Sequence, residues 1–499
     1  MTPFDLEPVT IDKKNYESAI EHLRQAKVLL PTFAQLADPN SFEKSFKRIS
    51  TGVHADEPNS ANLLRVHWYN NQERDGLTDV PAHLVLERDL TGVEAPIVVV
   101  LGDRFPMIQA HKVLAAYACL VTRLISGQFN PAQHRAIWPS TGNYCRGGVA
   151  ISRILGCRGV AVLPAGMSRE RFDWLEDWVT DPSDIIRTPG SESNVKEIYD
   201  KCKELSAEPS NIVLNQFSEF ANYLVHYSCT GSALEKVFSH LRAKNNSLSL
   251  GAFVAGTGSG GTLGAGDYLK DQLGSLIVAV EPEECPTMLY NGYGEHNIQG
   301  IGDKHIPLVQ NVMNTDIVVA VSDYSCDNLN VLFNSVAGRQ YLINRRGLDP
   351  IMGENLTRLG LSGIANVLAA IKTARLLDLT SNDAVITVAT DSGKLYESER
   401  ILTENKFFPN GFDEVSAGET YARHLLGVSS DHILETTHRD RNRIFNLGYY
   451  TWVEQQGVSV NDFESRRDQG FWNNLHQLLP VWDGMIEEFN HRTGADQFE

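Results

Sequence analysis

The chain has 499 residues, far more than the roughly 100–200 of one domain, so two or three domains are expected. Its 42% hydrophobic and 21% charged residues are a globular balance, which excludes fibrous, disordered and disulfide-stapled classes. Acidic residues outnumber basic ones by 62 to 44, and the resulting net charge of −18 disfavours nucleic acid or an anionic membrane as a partner.

Neither a membrane segment nor a disulfide framework is expected. No stretch approaches the roughly 20 apolar residues of a spanning helix, and the acidic N-terminus lacks a secretory pattern. The seven cysteines are odd in number and form no Cys-x-x-Cys pair. We therefore expect a cytoplasmic chain with reduced thiols and no metal site.

The predicted elements begin with a helix in an N-terminal extension, residues 1–81. Apolar side chains at near-helical spacing place this helix at Tyr16–Leu30. From about residue 82 to 391, short apolar runs alternate with helical stretches, which predicts a largely parallel α/β architecture. The predicted strands are Ile97–Leu101, Ala136–Trp138, Gly159–Leu163, Leu248–Ala255, Leu276–Glu281, Ile317–Val321 and Ala384–Ala389. The predicted helices include His111–Ile125, Asn143–Leu155, Val195–Leu205, Leu234–Leu241, Thr262–Leu269 and Asn355–Leu377.

Residues 401–499 have a different pattern, which is helical and aromatic and has no buried-strand run. Large apolar side chains recur here mostly every three or four positions, at Phe471, Trp472, Leu475, Leu478, Leu479, Trp482, Met485, Ile486 and Phe489. Such a face should not remain in water, so it predicts a helical cap on the core or on a partner. The cap helix should kink at Pro480.

The strongest local motif is the run Gly256-Thr257-Gly258-Ser259-Gly260-Gly261-Thr262, between a buried strand and a helix. Its glycines let the backbone approach an anion, and the helix start supplies N–H donors, so a phosphate is the natural occupant. The spacing also matches the dinucleotide fingerprint, with Glu281 where a ribose-binding acid belongs. A glycine-rich turn without a ligand is the third interpretation.

Two further segments offer polar groups beside helix starts. The turn Ser140-Thr141-Gly142-Asn143-Tyr144 is suited to a carboxylate, although a helix cap alone would explain it. Lys112 begins a helix in apolar company, which depresses a lysine pKa and makes the amine nucleophilic. A lysine that extends its amine to solvent is the structural alternative.

The motifs follow one another in a recognisable order. Lys112 precedes the Ser-Thr-Gly-Asn turn, then Asn215-Gln216-Phe217, the glycine run, Ile298-Gln299-Gly300-Ile301-Gly302 and Asp391-Ser392-Gly393. Over roughly residues 82–397 this series resembles the pyridoxal-phosphate enzymes of fold type II, nearest to cysteine synthase and cystathionine β-synthase. The resemblance implies an N-terminal extension (1–81), a large cofactor-binding α/β domain (82–124 and 231–400) and a smaller mobile substrate domain (125–230). The helical cap (401–499) lies outside it.

The resemblance also implies roles for individual residues. Lys112 matches the catalytic lysine that binds pyridoxal 5′-phosphate as a Schiff base. The other cofactor-binding positions are Asn143, Gly258, Ser259, Gly260, Gly261, Thr262 and Ser362. The substrate-binding positions are Ser140, Thr141, Gly142, Asn143, Tyr144 and Gln216. Three departures from the family pattern concern the substrate. The run Phe105–Ala110 stands where the family usually has Asn-Pro and a serine near the lysine, and Tyr144 replaces a smaller residue. His111 directly before Lys112 resembles the tryptophan synthase β chain instead.

The implied activity is β-replacement at Cβ of a small α-amino acid through an aminoacrylate, by a cytoplasmic homodimeric transferase or lyase of amino-acid metabolism. The alternative within this class is β-elimination to pyruvate and ammonia. Two alternatives lie outside it: an NAD(P)-dependent oxidoreductase that uses the glycine run, and a catalytically idle binding subunit. Nucleic acid, membrane and metal are not expected as partners.

Overall fold

The computed structural model describes residues 6–42 and 51–498, and in this part of the chain the strands form two sheets. The strands are β1 His83–Leu86, β2 Ile97–Leu101, β3 Arg135–Pro139, β4 Arg158–Pro164, β5 Ile185–Thr188, β6 Asn211–Val213, β7 Ser249–Gly256, β8 Leu276–Pro282, β9 Ile317–Val321, β10 Asp383–Ala389 and β11 Ile433–Glu435. The larger sheet has the order β1-β2-β10-β7-β8-β9-β11, and the smaller has the order β5-β4-β3-β6.

Helices connect the strands and cover the sheets. Within the described residues they are Lys13–Ala26, Phe33–Ala37, Arg88–Thr91, Lys112–Ile125, Asn143–Ile154, Arg169–Trp178, Val195–Leu205, Phe220–Val225, Gly231–Arg242, Leu263–Leu273, Thr287–Tyr290, Asp323–Asn334, Val336–Asn344, Pro350–Asn355, Leu361–Leu376, Glu397–Phe407, Glu414–Tyr421, His438–Leu447, Val460–Ser465, Gln469–His476 and Leu478–Thr493. None of them combines the length and apolarity needed to cross a membrane.

Both faces of the larger sheet are buried. Its central strands pair in parallel, and the edge strands β1 and β11 pair antiparallel. In β2, Val98 and Val100 belong to one hydrophobic core, whereas Ile97, Val99 and Leu101 belong to the other. A parallel sheet covered by helices on both faces needs such a continuous apolar run. This confirms the predicted α/β class.

The predicted strands agree with the structure to within one residue at each end, but four short strands were missed. β1 and β5 have four residues each, and β6 and β11 have three. β5 and β11 are only half-buried, so they lack the apolar run that marks a central strand. The C-terminal region is helical and has no buried strand, as expected, but it contributes the short half-exposed strand β11, which pairs with β9.

Four predicted helices differ from the structure by three or more residues at an end. The helix predicted at Leu234–Leu241 begins earlier, at Gly231, and the helix predicted at Thr262–Leu269 continues to Leu273. The first helix spans Lys13–Ala26 and ends where Lys27 adopts a left-handed conformation. The predicted helix Asn355–Leu377 is interrupted, and its long segment begins only at Leu361. At Gly360, just before that start, a Cβ atom would lie 1.9 Å from Asp391 Oδ1. Gly360 is extended and donates its backbone N–H to the Asp391 carbonyl at 3.1 Å, so the long helix begins only after it.

The C-terminal helices form an extension that packs on the rest of the chain. Trp482 donates its indole N–H to the Glu7 carbonyl at 3.2 Å, and Trp472 packs against Tyr223 with ring centroids 4.9 Å apart. The helix break lies at Gln477, with Pro480 in the first turn of the next helix, where a missing N–H is tolerated. The cap thus ties the N-terminal extension to the α/β core.

Candidate active site

Lys112 is the first residue of the helix Lys112–Ile125, whose side chains are almost all buried. Its Nζ donates a hydrogen bond to Ser259 Oγ at 3.0 Å. Burial lowers the pKa of this amine from 10.5 to about 8, although nearby acidic groups oppose the shift. A fraction of the amine is therefore neutral near neutral pH, which is its nucleophilic form.

Two adjoining cavities meet at Lys112, and both are lined by Lys112, Gly258, Ser259, Gly300 and Thr390. The first, here called the turn cavity, is further lined by Ser140, Thr141, Asn143, Tyr144, Glu192, Gln216, Phe217 and Asp303. The second, the loop cavity, is further lined by Ala255, Gly256, Gly260, Thr262, Ile301, Ser362, Asn366 and Val388. Among the predicted site residues, Gly142 and Gly261 line neither cavity, although both belong to the segments that form the walls.

The glycine run between β7 and the helix Leu263–Leu273 is crowded by neighbouring backbone. A Cβ atom at Gly258 would lie 2.5 Å from the carbonyl oxygen of Gly300. Gly260 has φ +77°, and a Cβ atom there would lie 2.9 Å from Gln310 Cβ. These two positions require glycine for close approach and for a left-handed backbone.

The same run presents backbone donors to the loop cavity. In the part of the chain that the structure describes, the amides of Gly258, Ser259, Gly260 and Thr262 donate to no protein acceptor. Unpaired amides just before a helix start, beside its positive dipole end, are the donors that bind a phosphate. The loop cavity therefore fits a phosphate group.

Glu281 does not serve as the acid of a dinucleotide site. Its buried carboxylate accepts the backbone N–H groups of Met288 and Leu289, both at 2.8 Å, and burial raises its pKa to about 7. It lines neither cavity. Its carboxylate is committed to the helix Thr287–Tyr290, and this removes the main support for a nicotinamide cofactor.

The turn after β3 begins the helix Asn143–Ile154. Gly142 packs closely against the Arg171 side chain, because a Cβ atom at this glycine would lie 2.2 Å from Arg171 Nε. The Gly142 amide donates to Ser140 Oγ at 3.0 Å, while the Thr141 hydroxyl donates to the Glu192 carboxylate. The positive end of the helix dipole makes this turn a favourable seat for a carboxylate ligand.

The Asn143 side chain is held by charged neighbours. Its Nδ2 donates to Asp391 Oδ2 at 2.6 Å, and its Oδ1 accepts from Arg146 Nη1 at 3.0 Å. The Tyr396 hydroxyl donates to the same Asp391 oxygen at 2.8 Å, and Arg171 Nη2 lies 4.0 Å from it. The network fixes the orientation of the amide at the wall of the turn cavity.

Gln216 and the glycine run are joined by Asn222, a residue that the sequence analysis did not single out. Asn222 Nδ2 donates to the Gln216 carbonyl at 2.9 Å and to Ser259 Oγ at 3.0 Å. Gln216 Oε1 is buried and has no partner among the described residues. Asn222 therefore orients groups that line both cavities, and no local motif marks it.

Tyr144 lines the turn cavity, and Ser362 lines the loop cavity. The Tyr144 hydroxyl donates to the Leu214 carbonyl at 3.1 Å, and its ring packs edge-on against Trp138. Ser362 lies in the first turn of the helix Leu361–Leu376 and lines the loop cavity. The roles assigned to these two residues stay predictions.

His111 directly precedes Lys112 in the sequence, and its side chain is buried. Its ring centroid is 5.3 Å from that of Trp68 and 5.2 Å from that of His226. Burial, together with the Lys112 charge, lowers the pKa of this imidazole well below its ordinary value. A neutral ring at this position adds no second positive charge beside the lysine.

Two acidic residues in the turn cavity were not found from the sequence. Glu192 and Asp303 are 1% and 6% exposed, and they come from the segments after β5 and β8. Burial raises the pKa of Glu192 to about 7 and raises that of Asp303 well above its usual range. Both lie far from Lys112 in sequence, so only the fold brings them together.

Comparison with known proteins gives one family match and several relatives. Residues 88–327 match the family described as pyridoxal-phosphate dependent enzyme. A cysteine synthase of Staphylococcus aureus is 30% identical over 262 residues, which cover 52% of this chain and 74% of that protein. A cystathionine beta-synthase of Saccharomyces cerevisiae is 30% identical over 194 residues, 37% of each chain.

The solved structures show similarity of fold. A hydrogen sulfide-producing enzyme from Fusobacterium nucleatum has a TM-score of 0.52 and 22% identity, covering 71% of this chain and 92% of that one. An O-acetylserine dependent cystathionine beta-synthase from Helicobacter pylori has a TM-score of 0.51 and 23% identity, covering 64% and 94%. At such identities the agreement concerns the architecture alone.

Proposed function

Since the chain belongs to the pyridoxal-phosphate dependent enzymes of fold type II, we propose that it catalyses β-replacement on an α-amino acid. The observation that carries the proposal is the convergence of Lys112, the glycine run and the Ser140–Tyr144 turn on two adjoining cavities. Replacement is preferred to elimination because the relatives of 30% identity include cysteine synthases.

The residues present fit the cofactor. Unpaired amides of the glycine run would hold its phosphate, the Ser362 hydroxyl in the loop cavity would be the neutral partner of its pyridine nitrogen, and Lys112 lines both cavities. When bound, pyridoxal phosphate acts as an electron sink that acidifies the Cα proton of an amino acid and permits loss of a Cβ substituent.

We assign Lys112 two tasks, to bind the cofactor covalently and to take the proton from the substrate Cα. A buried amine with a pKa of about 8 can be neutral for the first task and can accept a proton for the second. The idle-subunit alternative is disfavoured because this amine has no carboxylate bonded to it and reaches Ser259 alone within the described residues.

The turn residues would hold the substrate carboxylate. The helix start at Asn143, the Asn143 amide and the Gln216 side chain lie around the turn cavity. Gln216 Oε1 is unpaired among the described residues, so the amide can turn without breaking a side-chain bond. Thr141 would exchange its bond to Glu192 for one to the substrate.

The proposed domain division gives the site a means of excluding water. Every strand of the smaller sheet lies within the proposed mobile domain, residues 125–230. Closure of this domain over the larger sheet would bring the turn against the glycine run. We further propose a homodimer in the cytoplasm, where the free and buried cysteines would stay reduced.

The test is covalent mapping joined to a product assay. Borohydride reduction of the purified yellow protein should place the pyridoxyl group on Lys112, and Lys112→Ala should abolish labelling. The exposed Lys236 offers the control Lys236→Ala, which should label normally. With a β-substituted serine and a thiol, a thioether amino acid supports replacement; pyruvate alone supports elimination; a pyridoxyl group on another lysine rejects the assignment.

A further inference from the structure

The turn cavity has two carboxyl groups and a single basic side chain. Glu192 and Asp303 line this cavity with Lys112, and neither lines the loop cavity. No arginine, histidine or second lysine belongs to its wall within the described residues. The part of the site that receives the substrate is therefore acidic, whereas the part that receives the phosphate is not.

Each carboxyl group keeps one oxygen without a protein partner. Glu192 Oε2 and Asp303 Oδ2 are buried and make no hydrogen bond to the described residues. The other oxygen of Glu192 accepts the Thr141 hydroxyl. A buried carboxylate oxygen left unpaired costs free energy, so the two atoms point to a ligand that donates hydrogen bonds.

The two carboxyl groups repel each other whenever both are ionised, so without a nearby cation their protonated forms are favoured. Beyond burial, the charge of Glu192 is the next cause that raises the pKa of Asp303, and the Lys112 charge opposes it. When Lys112 is engaged with the cofactor, a cationic ligand group would relieve the repulsion. An anionic group would increase it.

Resting on the proposed function, we propose that Asp303 and Glu192 determine specificity by selecting a Cβ group or incoming nucleophile that carries a cation or N–H donors. An amine or guanidine compound fits this description, while carboxylate, sulfonate and phosphate-ester groups are rejected. In the net exchange, the Cβ–X bond is replaced by a bond from Cβ to the nucleophile, and the nucleophile's proton leaves with X as HX.

The first experiment measures binding and needs no turnover. Isothermal calorimetry on the holoenzyme compares L-2,4-diaminobutyrate, L-homoserine and L-aspartate, which differ chiefly in the charge at the side-chain end. Diaminobutyrate should bind at least about tenfold more tightly than aspartate, with homoserine between them. Equal affinities in the wild-type protein would overturn the inference.

The second experiment measures nucleophile choice with two thiols, because their sulfur chemistry is the same. With one β-substituted serine as donor, 2-aminoethanethiol should show kcat/KM at least about tenfold above that of 3-mercaptopropionate. Asp303→Asn, and Asp303→Asn with Glu192→Gln, should shrink this ratio toward one. The control variant is Asp327→Asn. The Asp327 carboxyl accepts a hydrogen bond from Asn297 Nδ2 and lies outside both cavities, so this variant should leave the ratio unchanged.

The outcomes separate this inference from the proposed function. If no thiol is incorporated but the calorimetric preference for diaminobutyrate holds, β-replacement fails and the charge selection stands. If the wild-type protein forms thioethers from the two thiols at equal rates, β-replacement stands and the charge selection fails. If Asp303→Asn weakens all three amino acids equally, the carboxyl group serves the common α-ammonium and the specificity role is rejected. Should the double variant not fold, the single variants Asp303→Asn and Glu192→Gln decide.

Discussion

Replacement of Gly260 by alanine tests the glycine run most sharply. This residue has φ +77°, where an L side chain costs roughly 1–2 kcal/mol. The new Cβ atom would also meet Gln310 Cβ at 2.9 Å, and overpacking of this kind costs roughly 1–3 kcal/mol. We therefore expect Gly260→Ala to lower the free energy of unfolding by about 2–5 kcal/mol.

The matched control lies at the other end of the following helix. Gly274 has φ +72°, but no atom lies within 4 Å of a Cβ atom built there. Gly274→Ala should therefore show the backbone cost of roughly 1–2 kcal/mol without the packing cost. The difference between the two variants isolates the crowding at the loop.

Both variants are measured by chemical denaturation and by titration of the apo-protein with pyridoxal phosphate, followed by absorbance. Crowding at Gly260 should displace the loop amides and weaken cofactor binding at least about tenfold, whereas Gly274→Ala should bind normally. Wild-type cofactor affinity in Gly260→Ala would refute the loop as the phosphate site. A stability loss equal to that of Gly274→Ala would refute the packing argument.

Three other outcomes are expected. The rate at which pyridoxal phosphate reacts with the apo-protein should rise with pH through about 8 and then level off, because only the neutral Lys112 amine attacks; a pH-independent rate in stopped-flow absorbance would contradict this. Asn143→Ala should keep the cofactor absorbance and lower kcat/KM about a hundredfold, and unchanged turnover would reject its role. Removal of residues 401–499 should give aggregated protein. Loss of β11 would expose the edge of β9, and loss of Trp472 and Trp482 would expose the apolar core against which they pack. A monodisperse, active truncated protein would show that the cap is independent.

The elements that sequence could predict are those whose burial is continuous. Strand Ile97–Leu101 is apolar at every position and buried at every position, so its bounds were predicted without error. β11 has no such run and exists because β9 offers it an edge. Local patterns describe what one segment buries, and they do not describe which edge is available.

The same contrast holds for the site. Lys112, the Ser140–Tyr144 turn and the glycine run were found because each couples a turn to a helix start. Glu192 and Asp303 lie in segments with no such signature, and they line one cavity only after the sheets assemble. Asn222 lies in a helix start, but its bond to Ser259 Oγ joins residues 37 positions apart, which no local pattern shows. Their identities therefore had to come from the three-dimensional arrangement.

All seven cysteines are free and buried, which makes the native protein unreactive toward thiol reagents. They are spread over separate elements. Cys119 lies in the helix Lys112–Ile125, Cys145 in the helix Asn143–Ile154 and Cys326 in the helix Asp323–Asn334. A thiol can be alkylated only when its own surroundings open. Pulsed alkylation followed by mass spectrometry would thus order the regions by their opening free energies, with natural residues as the reporters.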